Sequence, residues 1–262
     1  MKTLKRTHLK WKTTLHGRYP THGYTPFSVD KWHHVEGNIC ACIRGFHCSD
    51  YIFDAIRFVP PQEIHLVQAG GSYDRNYASE RMCYEKYAFR HMRIIKTFNI
   101  TREILMGIVK EAVTTLMEKS RYSSCDYLQH IFEVALQGIS PSCYQGVPGQ
   151  MYSIMINVAH IFKAPDYTLT IAPTAEYTKK VFNYIQIAID NAFTGVDERA
   201  AIGLAIRERV QAWFMENVVK ESVEECLDSY IKRYPKNTQP PQPKSSPEKK
   251  KRPGKDTERP AS

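Results

Sequence analysis

The feature that most constrains this chain is a change in the period of its apolar residues near Asn99. Upstream, turn residues and aromatics are dense, and eight of the ten histidines fall there. Ile39, Ala41 and Ile43 alternate with Asn38, Cys40, Cys42 and Arg44, a period of two that suits a half-buried strand. Glu36-Gly37-Asn38 is a turn signal joining it to a strand around Trp32-His33-His34-Val35. Ile64-His65-Leu66-Val67 predicts another strand, bounded by Pro60-Pro61 and Gly70-Gly71. Before it, Ser49-Asp50 can cap a short helix through Tyr51, Phe53, Ala55 and Phe58. Segments 84–87 and 90–95 are expected to return as strands.

Downstream the spacing becomes helical. Ile104/Leu105, Ile108/Val109, Ala112/Val113 and Leu116/Met117 form one stripe, with Thr101 as N-cap and Glu103 in the first turn. A second helix is expected at 124–137, closed by Gly138, and a third at 150–162. Pro165 and Pro173 bracket a linker, after which Thr174 caps a fourth helix carrying Val181, Phe182, Ile185, Ile189 and Phe193. A fifth starts at Asp197, with Ile206, Val210, Trp213, Phe214 and Val218 as its buried stripe. The expected fold class is α+β: a small antiparallel β-rich N-terminal domain at 1–98, an α-helical bundle at 99–234, and a disordered basic Pro/Lys-rich tail at 235–262.

Charge separates the tail from the body. The net charge is +9, and the last 28 residues hold eight Lys/Arg against three Asp/Glu, so the body is only mildly basic. The tail has no aromatic after Tyr234 to interleave with its lysines, so any nucleic-acid contact through it is expected to be weak and non-specific. The seven cysteines are odd in number and irregularly spaced, and no apolar segment follows Met1-Lys2-Thr3-Leu4-Lys5-Arg6. Free thiols in a reducing cytoplasm are the expectation. Apolar runs are too short and too interrupted to cross a bilayer, so no membrane is expected.

The densest cluster of chemistry-bearing residues is Trp32-His33-His34, Cys40-x-Cys42 and Gly45-Phe46-His47-Cys48-Ser49. Zinc sites usually join two spaced ligand pairs; here Cys40 and Cys42 share a strand face and His47 adjoins Cys48, so no metal is expected. Adjacent His47 and Cys48 also make a poor nucleophile–base couple, since such partners are normally brought together by the fold. A strand running into a capped helix would set His47 at the domain's mouth, either bonding backbone at that corner or forming a shallow ligand pocket with Ser49 and His33.

Cys42-x-x-Gly45-Phe46-His47-Cys48, with Trp32-His33-His34-Val35-Glu36-Gly37 before it and Ile64-His65-Leu66-Val67-x-x-Gly70 after it, resembles an uncharacterised domain that recurs in bacteriophage and bacterial proteins. The resemblance spans roughly 11–95 and implies a phage or bacterial protein, in the host cytoplasm if viral. Members often carry an acidic residue and a lysine or histidine after the last glycine, whereas this chain has Ser72-Tyr73-Asp74-Arg75. The helical half is loosely similar to toxin-immunity modules through Thr101-Arg102-Glu103-x-Leu105, Phe132-Glu133-Val134-Ala135-Leu136-Gln137-Gly138 and Arg209-Val210-Gln211-Ala212-Trp213. Phe46-His47-Cys48-Ser49 is also similar to a ribose-holding fragment of ADP-ribosyltransferase-like folds, which would make the chain a small nucleotide-binding protein or enzyme centred on His47. With no P-loop, dinucleotide or acid/base signature, the favoured expectation is a non-enzymatic module with an unidentified protein partner and no cofactor.

Overall fold

The computed structural model describes residues 9–18, 20, 25–41, 43–58, 63–77, 85–119, 126–139, 149–163, 172–192 and 195–235. The strands are β1 (Leu9–Thr14), β2 (His33–His34), β3 (Phe46–Cys48), β4 (Glu63–Tyr77) and β5 (Glu85–Asn99), with helix α1 (Ile52–Phe58) between β3 and β4. Then come α2 (Arg102–Lys119), α3 (Asp126–Leu136), α4 (Gly149–Lys163), α5 (Ala172–Ala192), α6 (Val196–Phe214) and α7 (Val223–Arg233). The α+β expectation holds: an antiparallel sheet, then helices. The tail beyond residue 235 lies outside the described residues.

Every strand pairing among the described residues is antiparallel, in the order β1-β4-β5, with β2 and β3 both on the far edge of β5. One further pairing closes the circuit. Trp11 in β1 and Ser49, just past β3, exchange backbone hydrogen bonds of 2.8 and 2.9 Å. β1, β4, β5 and β3 therefore close into a small barrel at this one bridge, while β2 and the part of β4 beyond Gln68 keep an edge with no strand partner among the described residues.

Strand alternation then sorts side chains into two cores. Phe46, Cys48, Val67, Ala69, Tyr87, Phe89, Met92 and Ile94 pack with Phe27 in an inner cluster. Trp11, Ile64, Leu66, Ile95 and Phe98 face the other way, into the same core as α1 and the buried stripes of the later helices. Phe214 of α6 is the centre of that contact, with its ring 5.7 Å from Trp11 and 5.6 Å from Phe98. α1 is joined to α6 by a buried ion pair, Arg207 Nε to Asp54 Oδ2 at 2.8 Å, and its first turn is satisfied by Ile52 N–H donating to Gln211 Oε1 at 3.2 Å.

Several local expectations change. The alternating stretch 39–43 is not a strand: Cys40 and Arg44 pair with each other across a tight turn, leaving Ile43 80% exposed. β4 does not stop at Gly70-Gly71 but continues to Tyr77 through an irregularity between Gly70 and Tyr73. Gly71 makes this passage possible, since its φ is +77° and a Cβ there would lie 2.4 Å from His91 Cδ2. Residues 85–87 and 90–95 belong to one strand, β5, because β4 pairs along its length, while residue 84 lies outside the described residues.

In the helical half, Thr101 Oγ1 accepts from Ile104 N–H at 3.4 Å, as expected of an N-cap, and Gly138 ends α3 with φ +77°. α5 begins at Ala172, so Thr174 sits inside its first turn rather than at the cap. α6 passes into a π turn, Met215–Val219, and stops at left-handed Lys220 (φ 60°). α7 follows as a helix beyond the five expected, opened by a capping box between Ser222 and Glu225.

Candidate functional site

The three candidates from the sequence occupy different settings. His47 sits mid-β3, paired with Ala88, and its carbonyl accepts from Lys12 Nζ at 3.0 Å. Its neighbours Phe46 and Cys48 both enter the inner cluster, so alternation places His47 on the opposite face. His33 packs on the Phe46 side, its ring 5.1 Å from Phe27 and 6.3 Å from Phe46, with Nε2 2.9 Å from Ser28 O. Burial holds its pKa below the ordinary histidine value. Ser49 is 1% exposed and forms the barrel-closing bridge. Burial also pushes the Cys48 thiol up to about 12, so it stays protonated at neutral pH. Among the described residues, no group of three or more His, Cys, Asp or Glu is placed to hold a metal ion.

A denser polar constellation lies at the other end of the barrel wall. β1 reads Leu9-Lys10-Trp11-Lys12-Thr13-Thr14, and Trp11 faces the helices, so Lys10, Lys12 and Thr14 point the other way. In register with them stand Val67, His65 and Glu63 of β4. Thr14 Oγ1 lies 2.7 Å from His65 Nε2 and donates to Glu63 Oε2 at 3.2 Å or to Leu15 O at 2.9 Å; His65 Nδ1 lies 3.0 Å from Thr97 Oγ1. His65 is fully buried, and burial, with Lys12 and Arg18 nearby, lowers its pKa to about 3. Lys12 is likewise lowered to about 8, mainly by burial. The Glu63 carboxylate also accepts from Gly17 N–H at 3.2 Å and Arg18 N–H at 2.7 Å. Both residues have positive φ, 70° and 64°, a conformation that costs a non-glycine residue free energy. Glu63 thus holds Arg18 in a strained pose.

Arg18 and Thr97 line a cavity of about 370 Å³ between this end of the barrel and α7. Lys96, Tyr230, Arg233 and Tyr234 contribute much of the remaining wall. Two contacts fix α7 there. Tyr230 donates its hydroxyl to Val29 O at 2.8 Å, and Arg93, fully buried, stacks between Trp32 and Tyr230 at 4.9 and 4.7 Å. Sequence reading missed this site because its parts lie far apart in the chain. The alternation of Lys10/Lys12 with Trp11, and of Glu63/His65 with Ile64, was the signal that polar groups face inward.

A second feature is a pair of exposed apolar side chains. Ala41 N–H donates to Asp74 Oδ2 at 2.8 Å, which seats the Cys40–Arg44 turn against β4. Ile43 on this turn is 80% exposed, and Tyr73, which precedes Asp74 and so faces the other side of β4, is 59% exposed. Tyr73 is backed by Phe89 at 5.4 Å and Tyr87 at 6.3 Å.

Residues 1–106 match the family described as a domain of unknown function (DUF7666), a stretch that takes in all five strands, α1 and the start of α2. No curated protein and no solved structure matches the chain. Among the described residues, no helix is long and apolar enough to cross a membrane.

Proposed function

We propose that this chain is a non-enzymatic protein-interaction module that binds through its exposed apolar side chains Tyr73 and Ile43, the partner being a host protein if the chain is viral. The observation that carries this reading is that two large apolar side chains are exposed, each on a rigid support. The turn bearing Ile43 is closed by Cys40 and Arg44 and tied to Asp74, and Tyr73 rests on two further aromatics. A pre-ordered apolar anchor loses little entropy on binding, which suits a contact residue of an interface. Exposed Arg44 beside Ile43 adds a positive charge and favours an acidic partner surface.

The test compares native protein with the double variant Ile43→Glu/Tyr73→Glu. Both side chains are exposed, so the variant should melt within a degree or two of the native protein. Partners recovered by the native chain from its own cells should be lost by the variant, with affinity falling at least about tenfold. Recovery of the same partners by both proteins, with equal affinity, would sink the proposal.

A further inference from the structure

The cavity between the barrel and α7 is independent of Ile43 and Tyr73, and its chemistry is specific. Among the described residues three cations line it: Arg18, Lys96 and Arg233. Lys96 is neutralised by Glu221, which also lines the cavity. Arg18 and Arg233 have no carboxylate partner among the described residues, so the wall presents a net charge of about +2. Arg18 Nε is buried and has no acceptor among the described residues. An unsatisfied buried donor costs free energy and calls for an explanation. Arg18 is also one of two non-glycine residues with positive φ among the described residues, and Glu63 holds it there through two backbone hydrogen bonds. Backbone strain of this kind clusters at binding sites, and here it sets the residue whose side chain lines the cavity.

We infer that this cavity binds a nucleoside monophosphate. Two guanidiniums match a phosphomonoester dianion in charge and in their forked donors, and the hydroxyls of Thr97 and Ser229 stand in the same wall. The volume of about 370 Å³ is far larger than a phosphate ion needs and lies in the range of small-ligand sites. Tyr234 is only half-buried, its ring 4.9 Å from that of Tyr230 and tilted 44° to it, and it gives the remaining space an aromatic surface on which a base can stack. With two unpaired cations, a monophosphate is balanced where a triphosphate is not.

The test uses the full chain with adenosine monophosphate, adenosine and inorganic phosphate as separate probes in thermal melts and calorimetry. The monophosphate should raise the melting temperature by several degrees at millimolar concentration, and the other two should each do less. Arg18→Gly is the informative variant. Glycine adopts φ near 64° without strain, so this variant should melt no lower than native protein while its affinity for the monophosphate drops at least about tenfold. Arg233→Gln should show the same loss, and Tyr234→Ala should weaken the monophosphate but not inorganic phosphate. Because every variant keeps the basic tail, a response that survives in both arginine variants would belong to the tail and overturn the inference. So would the absence of any response to the monophosphate, or an equal response to adenosine.

Discussion

The barrel and the helices bury their interiors in different ways. In the first 99 residues Lys10, Thr13, Thr14, Ser49, Asp54, Glu63, His65, Gln68, His91 and Arg93 are all buried, whereas the larger helical half buries, among its described residues, only Thr115, Asn157, Thr178, Gln186 and one charged residue, Arg207. Burying polar groups costs free energy unless each finds partners, and the barrel supplies them in networks such as Thr14–Glu63–His65–Thr97. Gln68 receives Arg93 Nε in the same way, at 2.8 Å. The helical core relies on apolar packing, with Ile108, Val109, Ile154, Val158, Phe182 and Ile185 all essentially sealed from solvent. One region supports the other: the helices contribute most of the apolar burial, the barrel holds the buried polar networks, and both supply polar residues to the cavity.

The sharpest way to break this comparison is at the joint. Phe214→Ala removes a ring that touches Trp11 and Phe98, and should cost about 3–5 kcal/mol in urea unfolding. Tryptophan fluorescence and far-UV circular dichroism should report one transition lowered together. A helical transition lowered alone, with the barrel unaffected, would show that the two regions do not share a core.

The next effect is confined to the barrel. In the folded chain His65 is held neutral down to about pH 3, against an ordinary value of 6.5. As pH falls below 6.5 the unfolded chain takes up this proton first, so stability is full above that point and declines down to about 3. Each tenfold difference in proton affinity between the folded and unfolded chain is worth about 1.4 kcal/mol, so the loss should reach a few kcal/mol. His65→Gln should flatten this slope in acid titrations of unfolding free energy. An unchanged slope would remove His65 as its source.

The smallest effect is at α7. Ser222→Ala deletes one side of the capping box and should cost about 1 kcal/mol. Because Tyr230 and Arg233 reach the cavity from this helix, backbone exchange in α7 should rise while β5 stays protected.

Most helices could be read from the chain because a 3.6-residue stripe is a local property. Thr101, the apolar positions from Leu105 to Met117, and Gly138 behave as their spacing implies. α7 was equally legible, with Val223, Cys226, Leu227, Tyr230 and Ile231 at helical spacing and Ser222-Val223-Glu224-Glu225 as its start, and the sequence reading passed over it by ending the helices at α6. In the barrel, local signals misled. Alternation at 39–43 looked like a strand but lay in a turn, because Cys40 pairs with Arg44 instead of a neighbouring strand. Gly70-Gly71 looked like an end but was a bulge, because β5 continues to pair beyond it. The Gly45-Phe46-His47-Cys48 motif marked a real strand, while Lys12 and Glu63 lay outside every motif and His65 stood in one only as part of a strand.

By itself, the sequence determined most of the helical segments, the change of period near Asn99 and where charge accumulates, because propensity, period and charge act between near neighbours. Only the tertiary structure decided that the sheet closes through Trp11 and Ser49, and that Arg18, Thr97 and Tyr230 meet around one cavity. Those outcomes depend on pairings between residues tens to hundreds of positions apart, and no local period records them.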